Sequence, residues 1–230
     1  MINNPNYPTL SGAGAPAAGL GIDGQMYYDT AGAALYLKIA GVWTAVSAGG
    51  GGGSFQWIEQ QNPAAVASMV FTGFSASYDI YQLEIAALRP ATNGVNLFMT
   101  VSDDGGATWK AGSAYFYVGY GMGDNDASVS LIKSTAAGQA QFAMWGTDIG
   151  NNADAGINIT MKLKNLRTTS KLFNYNADAI VAHSSLGTPN IKLTLGGTYN
   201  GAVAVNAIKF AFSSGNITSG FGNLYGLKNS

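Results

Sequence analysis

The sequence predicts an all-β protein: an antiparallel, jelly-roll-like β-sandwich preceded by a small N-terminal β-hairpin or meander module. Three observations carry this reading. Hydrophobic residues fill 47% of 230 positions, enough to bury a sizeable core. Long polar helix formers are scarce, with Glu59 and Glu84 the only glutamates and Arg89 and Arg167 the only arginines, while glycine occupies 32 positions. Apolar and aromatic runs recur at short intervals between turn signals, and no segment carries an apolar helical stripe with caps, although residues 63–67 have the composition for one turn.

Taken in order, residues 1–47 form the first unit. The Gly/Ala/Pro-rich stretch SGAGAPAAGLG has little apolar side-chain area and is expected to run extended until it docks on something. Behind it, 26–29, 33–38 and 42–46 read as three short strands separated by Thr30-Ala31-Gly32 and Ala40-Gly41 turns. Strands of that length make a poor core alone, so the module should gain stability from a partner or from copies of itself. Residues 48–54 are a glycine linker, since glycine has no side chain to pack and the most backbone entropy to lose.

Residues 55–230 read as one β-sandwich domain. Its candidate strands are 55–58, 68–71, 80–88, 95–101, 114–120, 128–132, 139–145, 156–163, 174–183, 191–199, 207–212 and 221–225. Tyr81, Leu83 and Ile85 alternate with Gln82 and Glu84, which assigns one buried and one wet face. Ile157, Ile159, Met161 and Leu163 alternate in the same way with Asn158, Thr160, Lys162 and Lys164.

Several chemistries are disfavoured by composition. Cysteine is absent, which removes disulfides and thiolate metal sites and suits folding in a reducing cytosol. The formal net charge is -1, and charges balance along the second domain, so nothing attracts a nucleic-acid backbone. No run of 18 apolar residues suggests membrane insertion, and MINNPNYPTL has no signal-peptide pattern. His183 is the only histidine, so a multi-His metal site is impossible, and no nucleophile elbow accompanies it. Asp103, Asp104, Asp124, Asp126, Asp148, Asp154 and Asp178 mostly occupy Gly/Asn-rich turns, where aspartate serves local hydrogen bonding. GDNDAS begins like a calcium loop, yet its twelfth position is Thr135 instead of glutamate. The expectation is a non-enzyme with no catalytic residue, no cofactor and no metal ligand. Gly119-Tyr120-Gly121-Met122-Gly123 and Leu195-Gly196-Gly197 lack the spacing and following helix of a phosphate-binding turn and read as loops.

Two local features remain. Ser102-Asp103-Asp104-Gly105-Gly106-Ala107-Thr108-Trp109 has the S-x-D-x-G-x-T-W spacing of the Asp box, a turn motif known from sialidases. A single copy with two arginines in the chain points to a hairpin device, joining 95–101 to the strand entering the tyrosine-rich stretch, with Trp109 anchored in the core. In SAYFYVGYGM, Tyr115, Tyr117 and Tyr120 are candidate receptor or interface contacts on one strand face; tyrosines so placed stack on sugars, fill an interface or pack between sheets.

Residues 15–44, APAAGLGIDGQMYYDTAGAALYLKIAGVWT, resemble the short glycine-rich module of bacteriophage tail fibers and related virion appendages, with its GxDGxxYxDTxxxxLYxKxxGxW pattern. Residues 71–109 and 207–229 resemble β-rich phage virion proteins. The resemblance implies paired strands around the Leu88-Arg89-Pro90 turn and a closing strand through Leu224-Tyr225-Gly226. It further implies a homotrimeric virion protein assembled in the bacterial cytoplasm, contacting other virion proteins through residues 1–47, with Tyr27, Tyr28, Tyr36 and Trp43 as the attachment residues. The sandwich would be displayed for host recognition on a surface glycan. The alternatives are a capsid decoration, head-fiber or tail-collar protein with purely structural contacts, or a glycan depolymerase.

Overall fold

The computed structural model describes residues 9–46, 55–123, 129–142, 149–182 and 190–227, and these hold no helix. The chain divides into two compact units, Met1–Gly52 and Gly53–Ser230. The proposed linker 48–54, His183, Asp124, Asp126 and Asp148 lie outside the described residues, as do parts of candidate strands 128–132 and 139–145.

The first unit is one sheet in the order β1(Leu10–Gly12), β2(Met26–Asp29), β3(Ala34–Ile39), β4(Val42–Val46). β2 to β4 form the expected antiparallel meander. The glycine-rich segment that opens it docks on its own module, with β1 pairing parallel to β2. Its residue pattern is a framework. Tyr27 is buried, with Tyr36 and Trp43 ring centroids at 6.4 and 5.9 Å. Lys38 is also buried and donates to the carbonyls of Ala18, Leu20 and Gly21 at 2.9, 2.7 and 3.0 Å, so the strap is stitched down by one ammonium. Asp29 Oδ1 accepts the amides of Gly14, Ala31 and Gly32, which closes the β2–β3 turn over the strap.

The second unit is an antiparallel sandwich. Its large sheet has eight strands in the order β10(Ser130–Ala137), β9(Tyr115–Gly123), β14(Asn190–Tyr199), β13(Phe173–Ala182), β12(Gly156–Lys164), β7(Ile80–Pro90), β16(Ile217–Leu227), β5(Phe55–Gln61). The small sheet runs β11(Ala140–Gln141), β8(Leu97–Ser102), β15(Ala207–Phe212), β6(Met69–Phe71). Only β9–β10 and β12–β13–β14 follow one another within a sheet; every other connection crosses the sandwich.

The alternation read from the sequence sets the faces. Tyr81, Leu83, Ile85, Ile157, Ile159, Met161 and Leu163 are all buried, and their polar neighbours point outward. Rings tie the layers together: Phe142 lies 6.1 Å from Phe210 of the small sheet and 5.9 Å from Tyr175 of the large one.

Two pairings differ from expectation. The Leu88-Arg89-Pro90 stretch is the end of β7 and makes no turn to β8, because β7 pairs with β12 and β16 while β8 pairs with β11 and β15. Likewise β8 does not pair with β9. Lys110 N–H does reach Val101 O at 2.9 Å, closing the Asp-box loop, but residues 111–114 then carry the chain across to the other sheet. Both glycine stretches read as loops are strand, within β9 and β14. Residues 63–67 make no helical turn; Ala65 takes φ 56° and Val66 bridges to Ile217.

Candidate functional site

The Asp-box loop is fully occupied in holding its own shape. Ser102 Oγ accepts the amides of Asp104 and Gly106 at 3.2 and 3.0 Å and donates to Asp104 Oδ1 at 2.6 Å. Asp104 accepts the amide and hydroxyl of Thr108 at 2.9 and 2.6 Å. The hydroxyl of Ser102, followed by that of Thr108, holds the Asp104 carboxyl well below the usual carboxylate range. Asp103 pairs with Lys110 at 2.7 Å. Asn206, which the sequence reading missed, clamps the loop from the far side: its Oδ1 accepts Gly105 N–H and its Nδ2 donates to Asp103 O, both at 2.8 Å. Trp109 is half-buried beneath Lys209, whose ammonium lies 4.5 Å from the ring centroid, instead of being anchored in the core. Among the described residues, no group of three or more His, Asp or Glu side chains is arranged to hold a metal.

The three tyrosines do not share a face. Tyr115 and Tyr117 are buried, whereas Tyr120 is 54% exposed, because residues an odd number apart on a strand point to opposite sides. Tyr115 is an internal post. Its hydroxyl accepts Val101 N–H at 2.9 Å and donates to Lys110 O at 3.0 Å, and burial pushes its pKa up to about 12. Tyr117 bonds Ser134. Both side chains thus belong to the inner face of the sheet.

The outer face of the large sheet is where ligand chemistry is exposed. Val118, Gly196 and Asn176 are direct register partners on β9, β14 and β13, flanked by Lys133 on β10 and Lys162 on β12. Gly196 leaves this row low: a Cβ there would come within 2.9 Å of Asn176 Oδ1. The result is a shallow trough of about 640 Å³, walled by Phe116, Val118 and Lys133 on one side and by Asn174 and Asn176 on the other, with Gly196 and Thr198 of β14 along its floor. Aromatic and aliphatic surface on β9 thus faces amides on β13 across two strand spacings, about 9.6 Å, with Thr198 of β14 between them. Beside it, Tyr120 registers with Thr194 and Asp178; Asp178 accepts from Thr194 Oγ1 at 2.7 Å and Lys192 Nζ at 2.9 Å, which lower its pKa. Toward the β10 edge the same face becomes apolar, with Val118, Tyr120, Met122 and Leu131 exposed by 64, 54, 47 and 80%.

In the first unit the four residues expected to serve attachment divide. Tyr27, Tyr36 and Trp43 face the strap and hold the module together, while Tyr28 is exposed. Tyr28 joins Met26, Ile39, Val42 and Val46 as exposed side chains on the opposite, uncharged sheet face.

No protein-family model matches the chain, and no curated protein and no solved structure matches it either.

Proposed function

We propose that this is a non-enzymatic bacteriophage virion protein, a fiber or appendage whose sandwich is displayed to bind a host-surface glycan. The observation that carries the reading is the outer trough. Sugar rings present apolar C–H faces and a rim of hydroxyls, and the trough sets Phe116 and Val118 against Asn174, Asn176 and Thr198. The trough is open and shallow, so a single copy would bind weakly, and display in several copies would add those contacts up. The first unit supplies a means of multiplication: its uncharged exposed face of Met26, Tyr28, Ile39, Val42 and Val46 suits association in a homotrimer or contact with other virion proteins.

The test is competition. The full-length protein should block phage adsorption to host cells and score on a glycan array, with both effects abolished by Gly196→Val. No competition at saturating protein would end the receptor reading.

A second reading, a capsid decoration, head-fiber or tail-collar protein with purely structural contacts, is favoured by the apolar patch of Val118, Tyr120, Met122 and Leu131, which is better suited to protein than to sugar. Imaging the labelled protein on the particle separates the two: a distal tail position favours adhesion, a capsid position favours decoration.

A further inference from the structure

At one end of the trough the chain builds a second, differently charged cavity. The loop between β12 and β13 and the turn before β7 enclose a pocket of about 390 Å³ whose lining includes Lys164, Arg167 and Lys171 against the single carboxylate of Asp79. Three cations and one anion leave a local excess of two positive charges in a chain whose overall formal charge is -1. Among the described residues none of the three cations has a carboxylate within ion-pair distance; the described ion pairs are Lys110–Asp103 and Lys192–Asp178. Like charges gathered around one cavity repel one another, and an anion placed among them relieves that repulsion.

The loop is held firmly in this arrangement. Leu166 is buried in the core, Arg167 N–H donates to Val205 O at 3.1 Å, and Asn165 Nδ2 donates to Leu172 O at 3.1 Å. Thr168 and Ser170 hydroxyls, which also line the pocket, lie 2.9 Å apart. Asn165 and Arg167 take φ of 58° and 47°, a left-handed conformation that favours glycine. A position suited to glycine carries instead one of the chain's two arginines, whose planar fork matches a carboxylate or phosphate.

The two cavities adjoin. Lys164 of the pocket and Asn174 of the trough are register partners on β12 and β13, and Asn174 registers in turn with Thr198 and, beyond it, Phe116. We infer that the basic pocket takes the anionic group, carboxylate or phosphate, of an acidic glycan whose neutral rings lie along the trough. This rests on the glycan reading of the trough and adds the ligand's charge and its direction of binding.

The experiment is calorimetric titration of the full-length protein with three oligosaccharides matched in length: an oligouronate, a phosphodiester-linked sugar polymer and a neutral chain. Inorganic phosphate serves as competitor, and each titration is repeated for Arg167→Gln/Lys171→Gln and for Gly196→Val, with thermal melting to show that both variants fold. The expected result is at least about tenfold tighter binding of one acidic chain than of the neutral one, weakening with salt and with phosphate. The charge variant should reduce that preference to the neutral level, and the acidic chain that wins identifies carboxylate or phosphate as the source. Equal binding of acidic and neutral chains, both lost in Gly196→Val, would overturn the inference and leave the trough reading standing. No binding of any chain would remove both.

Discussion

The hydroxyl of Tyr115 accepts the amide of Val101 at 2.9 Å, so a residue of the large sheet completes the hydrogen bonding of a strand in the small one. The same oxygen donates to Lys110 O at 3.0 Å, which fixes both ends of the Asp-box loop to one phenol. Tyr115→Phe should therefore destabilise the sandwich by about 1–3 kcal/mol, since it leaves a buried amide unpaired. Urea denaturation measures it.

Tyr175 is the control within the same core. Its hydroxyl is buried with no hydrogen-bond partner among the described residues, and burial pushes its pKa up. Tyr175→Phe should leave stability unchanged or raise it by up to about 1 kcal/mol, because the substitution removes a desolvated polar group. A loss comparable to that of Tyr115→Phe would disprove the assignment.

Acid should loosen two turns before it unfolds the core. Amides from Gly32, ahead of those from Gly14 and Ala31, lower the pKa of Asp29, and Ser102 and then Thr108 lower that of Asp104. A carboxyl whose folded pKa is depressed contributes stability that is complete above its unfolded value, about 3.9, and is lost as pH falls through the folded value. Protection from hydrogen exchange at residues 30–32 and 104–108, relative to the intrinsic rate at each pH, should fall below about pH 4. Asp104→Asn should make the second segment fast at neutral pH as well.

Lys38→Met should open the strap. It leaves carbonyls of Ala18, Leu20 and Gly21 without their shared donor, a loss of about 1–3 kcal/mol to the first unit. Limited proteolysis should cut near residues 14–22 in the variant, while the melting of the sandwich stays in place.

Charging the module's exposed face separates assembly from folding. Ile39 and Val42 are register partners, 55 and 64% exposed. Ile39→Lys/Val42→Asp should leave the module folded and convert a trimer to monomer in light scattering. A wild-type chain that is already monomeric at micromolar concentration refutes the trimer.

Faces were legible in the sequence because a strand's period of two is local: Tyr81, Leu83 and Ile85 announce their side of the sheet without reference to a partner. The same rule separates Tyr120 from Tyr115 and Tyr117, which the expectation of one shared face overlooked. Pairing was not legible. β8 and β9 are neighbours in the chain yet belong to different sheets, because four residues after a closed loop suffice to cross the sandwich. Nor did Gly196 look like a site. A double glycine, Gly196-Gly197, resembles a turn, and the meaning of Gly196, a gap between Val118 and Asn176, exists only once β9 and β13 lie on either side. The basic pocket was hidden similarly, its cations drawing attention only when one loop brings Arg167 and Lys171 beside Lys164.

β5 has one hydrogen-bonded neighbour among the described strands, β16, which inserts between it and β7. During synthesis the ribosome delivers β5 more than 150 residues before the strand that receives it. Until residues 217–227 emerge, β7 exposes an unpaired edge and β5 has nowhere to dock. The sandwich thus closes only once β16 has been made, and a nascent chain stalled before β16 leaves both edges open to pairing with other chains.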